Sequence, residues 1–182
     1  MRDHFLEEVA VKHNNGLNKV LYMFSWVIIV LSGLTAAFMF SAITSGLATG
    51  GFDWQSVVMF VLSGGICAYT FFSHDKILTE YEYTFTNGAL DFAEVYNNKK
   101  RKSLGSLNVR NVECFAKVNS DAFKRYVNMP GIKRMNWFLN REAELYFFYF
   151  AKDQDKKMII LEPSEEMVSY IREYVPRSAW RV

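Results

Sequence analysis

The chain is poor in the residues that most often do chemistry. It has two cysteines and three histidines in 182 residues. Cys67 lies in an apolar block and Cys114 in the polar half, so a mutual disulfide is not expected. No CxxC, no HExxH and no Cys/His cluster is present, which argues against a structural metal. No Ser/His/Asp or Cys/His arrangement is visible, there is no glycine-rich phosphate loop, and the polar half has only His74, at its start. Nothing calls for a cofactor, and an enzyme is not the expected reading. Nucleic-acid binding is also unsupported. From His74 on there are 18 basic and 15 acidic side chains, a net of only +3.

Charge is missing in one place. Residues Val20 to Ser73 contain a single charged side chain, Asp53, while the rest of the chain carries all 21 Lys+Arg and 18 of the 19 Asp+Glu. The mean hydropathy of −0.02 conceals this segregation. A soluble domain has too little shell to bury two uninterrupted apolar blocks of this size.

The first block, Val20 to Phe52, is 33 residues long. As one helix it would measure ~50 Å, against a hydrocarbon core of ~30 Å. A break is therefore expected, supplied by Gly46, Gly50 and Gly51. The spacing predicts spans at about Leu21–Ile43 and Trp54–Phe72, inside an apolar segment 20–73 that follows an N-terminal segment 1–19. A secretory signal peptide fits poorly. Its apolar core should be shorter and its start basic, whereas the first 19 residues balance three basic against three acidic groups. The loop between the spans has no Lys or Arg, while Arg2, Lys12 and Lys19 precede them and Lys76 follows. The positive-inside rule then places both termini in the cytoplasm of a two-span cell-membrane protein.

Small residues recur every four positions on the first span, at Gly33, Ala37, Ser41 and Ser45, and on the second at Gly64 and Ala68. Such faces allow close helix approach, either within one hairpin or between copies of the chain. Before the spans, Phe5, Leu6, Val9 and Val11 lie among charges, a pattern that suits a segment resting on the membrane surface or on the polar domain.

From Leu78 the periodicity changes to two. Tyr81, Tyr83 and Phe85 share one strand face, and Leu90 and Phe92 another, across Asn87-Gly88, a pair suited to a type I′ turn. Asn97–Lys102, NNKKRK, is a second polar turn. Leu104, Leu107, Val109, Val112 and Phe115 mark two further short strands, and Ala122–Val127 a short helix. Strand Glu144–Ala151 is apolar on both faces and should be covered on both, and Met158–Leu161 returns beside it. Ser164 is a good N-cap, Pro176 a stop, and Met167, Val168, Ile171, Tyr174 and Val175 form an apolar stripe between them. These are six or seven antiparallel strands followed by an amphipathic helix.

The segments YEYTFTNGALDF, KKRKSLGSLNVRNVECF and LEPSEEMVSYIREYVP resemble bacterial pleckstrin-homology-like (PH-like) domains. With MRDHFLEEVAVK before the apolar blocks and EYEYTFTNG after them, nearly the whole chain is similar to a family of small bacterial two-span membrane proteins of unknown function. The resemblance implies an α+β membrane protein. A two-helix transmembrane hairpin would precede a cytoplasmic antiparallel β-barrel or sandwich, residues 74–182, capped by the C-terminal helix. It implies a binding or scaffolding role, with membrane lipids, a protein partner or a homo-oligomer as the expected contacts. Lipid-binding members carry basic residues at the first hairpin loop, but Asn87-Gly88-Ala89 has none.

Two groups of residues are the candidate sites. Lys99, Lys100, Arg101 and Lys102 could each gain about 1 kcal/mol near an anionic leaflet, or could be a solvated hairpin tip. Gly33, Ala37, Ser41, Gly64 and Ala68 are the candidate helix-packing positions. The aromatic residues Tyr126, Trp137, Phe138 and Tyr146–Phe150 read as core.

Overall fold

A computed structural model describes residues 4–51, 53–152 and 155–181. It resolves into two compact units. One contains the residues through His13 together with those from Thr79 on; the other is Asn14–Leu78.

The second unit is two helices, α1 (Gly16–Thr49) and α2 (Trp54–Ser73), and a short 3-10 turn at His74–Leu78. Both helices are long and apolar enough to cross a membrane. The expected break at Gly46 is not there, because α1 runs on to Thr49. Gly50 takes a left-handed conformation with φ 80° and ends the helix. The Gly51 N–H donates to Gly46 O at 2.9 Å and the Gly50 N–H to Leu47 O at 3.4 Å, the pairing of a Schellman cap. A Cβ on Gly46 would lie 2.7 Å from Gly51 O, so glycine at 46 serves close approach in the cap rather than a break. Asp53 caps α2 by accepting from the N–H groups of Gln55 and Ser56.

The first unit has two sheets. Strands β1 (Phe5–Ala10), β2 (Thr79–Thr86), β3 (Ala89–Tyr96) and β4 (Lys100–Asn108) form an antiparallel sheet in that order. Of the two expected placements of the N-terminal segment, the structure has it on the polar domain, as the first strand of its sheet, and a domain starting at residue 74 would lack that strand. Phe5 pairs with Thr86 and Ala10 with Tyr81. Burial alternates along β1, but the residue types do not, because Glu7 and Glu8 are adjacent and one falls on each face.

The second sheet has the order β6-β8-β7-β5-β9, from β5 (Cys114–Lys117), β6 (Lys133–Trp137), β7 (Tyr146–Lys152), β8 (Asp155–Leu161) and β9 (Trp180–Arg181). It is not purely antiparallel, since β6 runs parallel to β8 and β9 parallel to β5. Among the described residues no strand pairing joins the two sheets, so the expected barrel is not closed.

Between the sheets lies the main core, with Tyr83, Phe85, Leu90 and Phe92 on one side and Phe115, Phe148, Ile159 and Leu161 on the other. Helix α4 (Glu165–Tyr174) adds Met167 and Ile171, both fully buried. Ser164 caps it by accepting from the Met167 N–H. The outer face of the second sheet carries Cys114, Phe147, Tyr149, Met158 and Ile160, covered by Phe123 and Tyr126 of helix α3 (Asp121–Val127). That is why β7 is apolar on both faces.

The β2–β3 turn has Asn87 at φ 50° and Gly88 at φ 97°. A Cβ on Gly88 would meet the Tyr174 ring at 2.8 Å, so both dihedral and contact require glycine. Gly131, at φ 76°, has open space around it. Gly88→Ala is expected to lower domain stability by about 1–3 kcal/mol and Gly131→Ala by less, as read from thermal unfolding of the two variants. A fragment beginning at Thr79 leaves the β2 edge unpaired and removes the core contacts of Leu6 and Ala10. It is expected to lose at least ~2 kcal/mol, visible as faster amide exchange along β2.

Candidate functional site

The basic run opens the edge strand β4. Asn97 and Asn98 both adopt left-handed φ, near 50°, and the Lys99 N–H closes the turn on Tyr96 O at 2.9 Å. Arg101 forms an ion pair with Glu82, and Lys102 lies 4.0 Å from Glu94. Glu82 is buried on the sheet face opposite the main core, and that burial, with the Glu7 carboxyl beside it, raises its pKa; Arg101 opposes the rise. At least two of the four cations are therefore engaged by carboxylates of their own sheet. Lysines along an exposed edge also discourage edge-to-edge association. The run is a structural feature first, and what charge it leaves for a leaflet is smaller than its sequence suggests.

The helix-packing residues are not brought together. Gly33 faces α2, where a Cβ would lie 3.6 Å from Cys67 Sγ. Ala37, Ser41 and Ala68 are exposed, and a Cβ on Gly64 meets nothing within 4 Å. A four-residue spacing drifts around a 3.6-residue helix, so it leaves the contact line within a few turns. The covered positions of α1 include Tyr22, Ser25, Ile29, Ser32, Ala36 and Met39, spaced alternately by three and four, with Ile28, Gly33 and Thr35 beside that row. On α2 they include Ser56, Phe60, Ser63, Cys67 and Thr70, with Val57 and Gly64 beside that row, and His74 continues it just past the helix. That is a heptad seam. The signal was in the sequence, as hydroxyls seven apart at Ser25 and Ser32 and at Ser56, Ser63 and Thr70.

Across this seam Cys67 Sγ lies 3.5 Å from Ile29 O, and Phe40 packs on Phe60 at 5.8 Å. His74 sits among Tyr22, Trp26 and Phe71, with Nδ1 2.6 Å from Phe71 O. The seam serines bond their own helix, Ser25 to Tyr22 O and Ser32 to Ile28 O, both at 2.6 Å, and Ser63 to Met59 O at 2.7 Å. Their polarity is thus absorbed locally, with no cross-helix hydrogen bond needed.

The aromatic residues are mainly structural. Trp137 packs on Phe92 at 4.6 Å, and Tyr126 stacks on Tyr149 at 4.3 Å. The buried Tyr83 hydroxyl donates to Trp137 O. Burial pushes the Cys114 thiol up to about 11, which leaves it protonated and a poor nucleophile at neutral pH.

Several clefts open on the β-domain, among them the following two. One, of about 330 Å³, lies where β1 meets the N-terminus of α4. Its polar atoms are largely spent internally. Glu8 accepts from the Ser164 N–H at 3.0 Å, and Glu162 accepts from the N–H groups of Leu139 and Asn140 at 3.1 and 3.0 Å. Asn140 donates to Val11 O at 2.9 Å and accepts from the His13 N–H at 2.8 Å. Burial raises the Glu8 pKa. This is a clamp on the first strand. The other cleft, of about 610 Å³, runs along α4 and includes Lys117, Arg172 and Trp180. Sequence reasoning did not find it, because its walls come from β5, β7, α4 and β9, which are far apart along the chain. Among the described residues, no group of three or more His, Cys, Asp or Glu is arranged to hold a metal.

Replacing Arg101 strips the buried Glu82 of its cation. Arg101→Leu is expected to cost about 1–2 kcal/mol, below the ~3–5 of a fully buried pair because the guanidinium is largely exposed. Lys100→Leu should stay within about 0.5 kcal/mol. Denaturant unfolding of both variants checks this, and equal effects would remove the structural role of Arg101.

No curated protein and no solved structure matches the chain. A family model, described as a bacterial PH-like domain (DUF6106), matches residues 2–181. The match takes in both apolar helices and every strand described above, so the chain belongs to this family of bacterial PH-like domains.

Proposed function

We propose that the protein is a membrane-anchored binding or scaffolding module, with a PH-like domain held at the cytoplasmic face by a two-span hairpin and no catalytic role of its own. The observation that carries this is the pairing of β1 with β2 although both apolar helices lie between them in the chain. Residues that form one sheet stand on one side of a membrane, so the intervening segment crosses an even number of times. Two apolar helices then make two crossings. Cleavage of a signal peptide after the first helix would remove β1, which speaks against that alternative. Lys12, Lys19 and Lys76 flank the spans while the connecting loop has no Lys or Arg, which supports a cytoplasmic domain.

A second reading has a specific observation behind it. Ala37, Ser41 and Ala68 lie outside the seam and are exposed on the spans. In a bilayer such surfaces meet either lipid or another copy of the chain. In that reading the spans build a homo-oligomer or a membrane complex.

Purification of the intact protein from its own membranes in mild detergent, with the mass and composition of the particle measured, tests both. A stoichiometric protein partner retained by the Ala37→Leu/Ser41→Leu variant supports the module. A particle of several copies that falls to a single copy in that variant supports the oligomer. Cysteines placed on β4 that react only from outside intact cells would overturn the orientation.

A further inference from the structure

The larger cleft of the β-domain gathers hydrogen-bond donors that the fold does not use. Arg172, on the exposed side of α4, has its guanidinium 5.1 Å from the centre of the Trp180 ring. Among the described residues it has no carboxylate partner. Trp180, held by the pairing of β9 with β5, has its indole N–H buried without an acceptor. Ser169 adds a hydroxyl, and Val168 and Tyr146 add apolar surface. Lys117 stands over the Tyr146 ring at 5.7 Å, but its ammonium is bonded to Glu144. Arg172 and Ser169, three residues apart and both exposed on α4, therefore offer a guanidinium and a hydroxyl to an open cleft of about 610 Å³, while the indole N–H itself is closed off from it. A planar guanidinium is the side chain best shaped for a carboxylate or a phosphate.

We infer that this cleft is a binding site for an oxyanion, a phosphate or carboxylate group seated on Arg172 and the Ser169 hydroxyl, with the Trp180 ring under the guanidinium as its reporter. Glu165 and Glu173 also line the cleft and set its selectivity. They disfavour an extended anionic surface and favour a single anionic group with neutral or basic neighbours. The inference rests on reading the domain as a binding module. It concerns one cleft of that domain, so its failure would leave the retention of a partner in detergent untouched, and the two failures are distinguishable.

The test uses the full chain in phosphatidylcholine nanodiscs, titrated with inorganic phosphate and with succinate and followed by tryptophan fluorescence. The expected result is a saturable change that Trp180→Phe abolishes, with an affinity at least about tenfold weaker in Arg172→Leu and unchanged in Arg125→Leu. Should Arg172→Leu fail to fold, Arg172→Gln serves the same comparison. Repeating the titration in nanodiscs containing phosphatidylglycerol identifies the source. A suppressed response assigns the site to a lipid headgroup, and an unchanged one to a soluble anion. No saturable change in either nanodisc, or equal affinity in Arg172→Leu, overturns the proposal.

Discussion

The pairing of β1 with β2 is the contact on which the rest of the architecture depends. In an ordinary antiparallel hairpin two strands are joined by a few residues. Here the connection contains α1 and α2, and the register still holds from Phe5–Thr86 to Ala10–Tyr81. The strand ends that receive the helices, Ala10 and Thr79, lie at the same end of the sheet. The sheet thus closes a loop in the chain that contains the whole apolar unit. The edge strand is also pinned from outside the sheet. Asn140 holds Val11 and His13, Glu8 holds the first turn of α4, and the His4 ring stacks on Tyr170 at 4.9 Å. These contacts repeatedly tie the short segment before the apolar helices to the domain after them.

Helix α4 and the second sheet show how one long apolar run can serve two cores. Phe148 points to the main core and Phe147 to the outer one, as strand alternation requires. The inner set meets α4 and the first sheet, and the outer set meets α3. The face of α4 turned away from the core is left with Arg172, Ser169 and Glu165, so the helix that completes the interior also forms one wall of the larger cleft.

Much of this was legible in the sequence, wherever the local signal agreed with the tertiary context. Asn87-Gly88 specified its turn, Ser164 its cap, and the two-sided apolarity of Tyr146–Phe150 its burial. The apolar helices were legible because nothing else produces so long a run without charge. Three strands were not. Phe5–Ala10 is interrupted by Glu7 and Glu8, which have structural partners only once β2 and α4 are in place. Lys133–Trp137 is polar at its start and pairs parallel, so no local turn announces it. Trp180–Arg181 is two residues long and exists only as an addition to β5. The candidate sites were less legible for a related reason. The basic run is contiguous in the chain, but only the folded sheet sets Arg101 and Lys102 against Glu82 and Glu94. The small-residue rows were read as faces for close helix approach, and of them Gly33 and Gly64 are partly covered while Ala37, Ser41 and Ala68 are exposed.

The insertion of the helices between β1 and β2 has a consequence in time. The ribosome makes β1 first, then both apolar helices, and only then the strand that β1 pairs with. The first sheet cannot close until the second helix has been synthesised and a domain-side end is available on each side of it. In the two-span reading proposed above, a chain stalled with one helix inserted would leave β1 and β2 on opposite faces of the bilayer, with their backbone groups unpaired. In that reading, assembly of the domain reports that both helices have been inserted, a check built into the order of the chain.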